Sequence, residues 1–94
     1  MLKGVSEKEY SIIREILKDY NAEFFAYGSR TRGDFSALSD LDIMLKCNNY
    51  DKIISELKEK FDKSALPYVV SFVDFNTMDK NFYSLIQNDL VKIQ

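Results

Sequence analysis

The chain has 94 residues, 13 basic and 15 acidic, and a formal net charge of −2. That length fits a single domain spanning residues 1–94, and 46% hydrophobic with 30% charged residues is the balance of a globular chain rather than a disordered one. With no histidine and a lone cysteine, Cys47, the composition excludes Ser-His-Asp and Cys-His catalysis, His-ligated zinc and an internal disulfide. No apolar run approaches the roughly 18 residues of a membrane span, and Met1 to Val5 carries no signal-peptide core, so a cytoplasmic setting without membrane contact is expected. The acidic balance also argues against direct nucleic-acid binding. Chemistry, if present, falls to carboxylates, backbone amides, Lys, Arg, Ser, Thr or Tyr.

In chain order, Ser6-Glu7-Lys8-Glu9 is a capping box. Behind it, Tyr10, Ile13, Leu17 and Tyr20, widened by Ile12 and Ile16, predict a helix. Glu23 to Tyr27 predicts a strand halted by Gly28. Ser29 to Ser39 is polar apart from Phe35 and Ala37-Leu38, and predicts a turn, a brief helix and a loop in which Asp34 favours a turn. Leu41 to Cys47 predicts a second strand, with Leu41, Ile43, Leu45 and Cys47 on one face and Asp42, Met44 and Lys46 on the other.

Asn48 and Asn49 are candidate caps for a helix striped by Tyr50, Ile53, Ile54, Leu57 and Phe61. Beyond Pro67, Tyr68 to Phe75 is apolar on both faces, which predicts a central strand or one covered on both sides. Asp79 caps a last helix carrying Phe82, Leu85 and Ile86, and Leu90 to Ile93 is a closing strand. The order α-β-(loop)-β-α-β-α-β predicts an α/β (α+β) domain, one small mixed sheet with helices packed against it.

One stretch carries chemistry: Gly28-Ser29, ten residues, then Asp40-x-Asp42. Gly28 lets backbone approach a ligand without a Cβ in the way. Ser29 offers a hydroxyl and amides to a phosphate, and Arg30 and Arg32 offer charge-assisted bonds to a polyphosphate. Asp40 and Asp42, two apart at the mouth of a strand, point the same way. Two neighbouring carboxylates repel unless a cation lies between them, and Mg²⁺ is typically held by one or two carboxylates plus substrate phosphates. The pattern predicts a site for Mg²⁺ and a nucleoside triphosphate, with Asp40 and Asp42 as metal ligands and catalytic residues.

Gly28-Ser29 with Asp40-x-Asp42 resembles the signature of the DNA polymerase beta nucleotidyltransferase superfamily. The run Gly28 to Gly33 and Ser39-Asp40-Leu41-Asp42 look like its minimal branch, the MNT proteins, over about Ser6 to Gln94. The resemblance implies the nucleotidyltransferase fold. It also implies kinship with the antitoxin of HEPN/MNT toxin–antitoxin pairs, which moves AMP from ATP to a tyrosine of the HEPN toxin. In a chain this short the acceptor is expected on another molecule, a HEPN-type partner, with homo- or hetero-oligomers both open.

The family uses a third carboxylate on the strand after the second long helix. In this chain Pro67-Tyr68-Val69-Val70-Ser71-Phe72-Val73-Asp74 puts Ser71 at that position. Asp74, three residues on, faces the other way in a regular strand, so it could substitute only through a bulge. Losing that carboxylate spares nucleotide binding but slows transfer. The alternative reading is therefore an impaired domain that neutralises its toxin by complex formation.

Overall fold

A computed structural model describes residues 2–33, 36 and 39–94. The expectations for Asp34, Phe35, Ala37 and Leu38 lie outside those residues. The elements are α1 (Glu7–Leu17), β1 (Glu23–Tyr27), α2 (Ser29–Arg32), β2 (Leu41–Lys46), α3 (Tyr50–Asp62), β3 (Val70–Asp74), α4 (Lys80–Ile86) and β4 (Val91–Lys92). Short 3₁₀ turns at Phe75–Thr77 and Gln87–Asp89 flank α4.

The capping box forms in full: the Ser6 hydroxyl accepts from the Glu9 amide at 3.1 Å, and the Ser6 amide donates to the Glu9 carboxylate at 3.2 Å. Two of the four orphan amides of α1 are thereby satisfied reciprocally. Asp79 caps α4 through the Asn81 amide, 2.9 Å away. Asn49 is the N-cap of α3 but its side chain makes no capping bond, so that part of the expectation is corrected. At the other end of α1 the Gln94 amide donates to the carbonyls of Leu17 and Tyr20, both at 3.0 Å, and so ties the chain terminus to the helix end.

The sheet has the order β3-β2-β1-β4. β1 pairs antiparallel with β2 and β4, and β2 pairs parallel with β3. β3 is an edge strand, which corrects the expectation of a central one. Covering on both faces produces its apolar sequence instead: Val70 and Phe72 join the larger core, and Val73 joins the smaller. On the larger side Leu41, Ile43 and Leu45 of β2 meet Ile13 and Leu17 of α1 and Leu57 and Phe61 of α3, all buried. Burying each such side chain contributes on the order of 1.5–3 kcal/mol. On the other face Tyr27 and Met44 pack beneath Ile86 and Tyr83 of α4.

Candidate functional site

The alternation of β2 places Asp42 on the face that α4 covers only in part. Asp42 pairs in register with Tyr27 of β1 and Ser71 of β3. Since in-register neighbours share a face, Tyr27, Asp42 and Ser71 form one row across three strands. Asp40, exposed just ahead of β2, joins the row from the side: the Ser71 hydroxyl donates to its Oδ2 at 3.2 Å. Position 71 thus lies within hydrogen-bond reach of Asp40 and in register with Asp42, and a serine occupies it. Asp74 pairs with Leu45, whose side chain is in the larger core, and its carboxylate accepts from the Asn76 amide at 3.0 Å. No bulge brings it round, so Asp74 as a substitute is corrected.

The Gly-Ser half of the motif meets the carboxylates through backbone. Gly28 has φ +86°, and a Cβ built on it would lie 2.7 Å from Asp42 Oδ2. Only glycine accommodates both that conformation and that approach. The chain then makes the short helix α2, held where the Thr31 hydroxyl and amide donate to the Gly28 carbonyl at 2.7 and 3.0 Å and closed by Gly33 in the left-handed region. Ser29, half-buried, opens this turn directly after Gly28.

The two arginines of the turn separate. Arg32 stays beside the site: its charge offsets part of the upward shift at Asp42, and its guanidinium lies 3.9 Å from Asp89. Arg30 is buried, 2% exposed, with Nε and Nη2 donating to the Ser39 carbonyl at 3.2 and 2.9 Å and Nη1 to the Gly4 carbonyl at 3.0 Å. Its guanidinium stacks 4.1 Å above the Tyr68 ring. The expectation that Arg30 meets a phosphate is corrected by this carbonyl-bound, inward placement. A sequence signal for the split existed, because residues two apart on a helix diverge by about 200° and cannot both face one ligand. Tyr27 and Tyr68, by contrast, carry no local mark that would have set them apart from core aromatics.

Electrostatically the pair wants a cation. Burial first, then the neighbouring Asp40 charge, hold the Asp42 carboxyl above its ordinary value. Burial and the Asp42 charge push the Tyr27 hydroxyl up to about 12, so it is neutral at physiological pH. Among the described residues no group of three or more His, Cys, Asp or Glu gathers to hold a metal. The donor set is two carboxylates with a hydroxyl between Asp40 and β3, which fits one hard cation completed by phosphate oxygens. Among the described residues a second, all-carboxylate position is not built. A groove of about 670 Å³ is lined by Ile12 and Ile16 of α1 and by Lys60 and Lys63 near the end of α3. Those helices cover the sheet face opposite Asp42, and none of the candidate groups lines the groove. No helix of the described residues is long and apolar enough to cross a membrane.

A family model described as a nucleotidyltransferase domain matches residues 10–93. The chain is 30% identical over 94 residues to a probable protein adenylyltransferase MntA of Haemophilus influenzae, covering 96% of this chain and 82% of that protein.

Proposed function

Because the chain belongs to the nucleotidyltransferase domain family, we propose that it transfers AMP from Mg–ATP to a hydroxyl, a tyrosine, of a partner protein of the HEPN type, as an antitoxin. The observation that carries this reading is the row of Asp42 beside Gly28 and Asp40, one open carboxylate pair at the junction where a glycine brings backbone close. Likeness to a protein adenylyltransferase supports the protein acceptor.

In the reaction the acceptor oxygen attacks the α-phosphorus, the bond from that phosphorus to the bridging oxygen of the β-phosphate breaks, and pyrophosphate leaves with the electron pair. A bound Mg²⁺ supplies charge neutralisation at the phosphates and lowers the cost of the developing negative charge. Asp40 and Asp42 would hold it. Ser29 and the amides after Gly28 would orient the phosphates, and Arg32 would add positive charge from the side. The acceptor proton needs a base: with serine at position 71, Asp40 and Asp42 are the carboxylates at hand to take it.

A second reading has its own support. The Ser71 hydroxyl bonded to Asp40 stands where a third carboxylate would assist deprotonation, and general-base help is typically worth about 10²–10⁴-fold. On that reading the domain neutralises its partner by binding alone. Intact-mass spectrometry of a HEPN partner incubated with the chain and Mg–ATP separates the two, with an Asp40→Asn/Asp42→Asn double variant as control. AMP on the partner in the wild type and not in the control supports transfer; a stable complex without adduct supports the binding module.

A further inference from the structure

The buried guanidinium of Arg30 ties together three parts of the chain: the N-terminal segment, the residues ahead of β2 and the approach to β3. Two of its nitrogens close on the Ser39 carbonyl, the peptide oxygen directly ahead of Asp40. A third nitrogen holds the Gly4 carbonyl, while the Lys3 amide donates back to the Arg30 carbonyl at 2.7 Å. Beneath it the Tyr68 ring, at the approach to β3, lies 4.1 Å away and is itself held by its hydroxyl, which donates to Glu9 at 3.2 Å. The capping box of α1 is thus linked through Glu9, Tyr68 and Arg30 to the backbone that carries the first carboxylate.

We infer that Arg30 is a positioning residue for the carboxylate pair: its two-pronged grip on the Ser39 carbonyl sets where Asp40 sits against Asp42 and Ser71. The inference rests on the nucleotidyl-transfer reading of that pair. Asp40 precedes β2 and is exposed; the peptide after it is held where the Leu41 amide donates to the Val69 carbonyl at 2.9 Å, and the peptide before it is held by Arg30. A planar guanidinium with several fixed donors can satisfy two carbonyls at once and stack on an aromatic face, whereas an ammonium is a point charge without that geometry. Groups that orient metal ligands from outside the coordination sphere typically change metal affinity by about 10–100-fold when removed.

The test is Mn²⁺ binding in the presence of a non-hydrolysable ATP analogue, read from the electron paramagnetic resonance of free Mn²⁺, well below the melting temperature of each variant. Arg30→Lys keeps the charge and loses the fork, and is expected to raise the Mn²⁺ Kd about 10-fold or more. Tyr68→Leu removes the stacking ring without touching the site, and is expected to weaken binding in the same direction by a smaller factor. Ile13→Val, in the core on the opposite face, lowers the melting temperature with Kd unchanged and gives the signature of a purely structural loss. A folded Arg30→Lys chain with wild-type Kd overturns the inference; if that variant does not fold, an unchanged Kd in Tyr68→Leu overturns it. A wild-type chain that binds no Mn²⁺–nucleotide overturns the reading of the carboxylate pair itself, and the positioning role with it.

Discussion

The carboxylate of Asp42 fills the space where a side chain on Gly28 would begin, 2.7 Å from the position of that missing Cβ. The contact joins the two halves of the motif directly. Gly28→Ala forces either the φ of +86° or the carboxylate to give way. The expected outcome is a loss of about 1–3 kcal/mol of stability and a fall in transfer of at least about 10²-fold, because a misplacement near 1 Å carries that penalty. Thermal melting and the adduct assay measure the two effects separately.

Asp42→Asn is expected to abolish transfer while raising the melting temperature of the metal-free chain by a few degrees. Burial and the Asp40 charge hold the Asp42 carboxyl above its ordinary value, so the folded state disfavours the ionised form. A group shifted up contributes stability that is whole below its unfolded value of 3.8 and declines as pH rises through the folded one. The amide removes that decline. A melting temperature that falls at neutral pH would show the carboxylate to be stabilising in the free chain.

Ser71→Asp tests what the row lacks. Ser71 shares the face of Asp42, and its hydroxyl lies 3.2 Å from Asp40, so an introduced carboxylate joins the pair. Transfer is expected to rise by about 10²-fold in the presence of Mg²⁺. Stability without metal is expected to fall, since three like charges then crowd one strand end. An unchanged rate under single-turnover conditions would mean that position 71 does not limit the chemical step.

Alkaline pH should expose the contact between α1 and the approach to β3. Burial, then the Glu9 charge, push the Tyr68 hydroxyl up to about 12, against a partial opposing effect of Arg30. Its contribution is full below pH 10.0 and is lost as pH rises through about 12. Denaturant melts between those values should therefore show a shallower loss of stability for Tyr68→Phe than for the wild type. Tyr27, also pushed up to about 12, keeps some slope in the variant. At neutral pH the same variant should be about 1 kcal/mol less stable from the lost bond to Glu9.

Local chemistry already determines the elements themselves. The capping box sets the start of α1, Gly28 ends β1, Asp79 starts α4, and two-residue alternation assigns Asp42 and Leu41 to opposite faces, all from neighbours within a few positions. The pairing of Gly28-Ser29 with Asp40-x-Asp42 is legible for the same reason, as it joins the ends of consecutive strands. Only the tertiary structure decides the rest. The apolar faces of β3 read as a central strand or one covered on both sides; the structure realises the second, an edge strand covered by α3 and α4, and nothing along the chain distinguishes the two. Helical spacing keeps Arg30 and Arg32 from facing one ligand, but which of them turns inward is decided by the Gly4 and Ser39 carbonyls, 26 and 9 residues away, which offer the Arg30 guanidinium a buried set of acceptors. Alternation turns Asp74 away from Ser71 on either account, but the distance from Ser71 to Asp40 depends on the register of two parallel strands, a long-range pairing that no local pattern encodes.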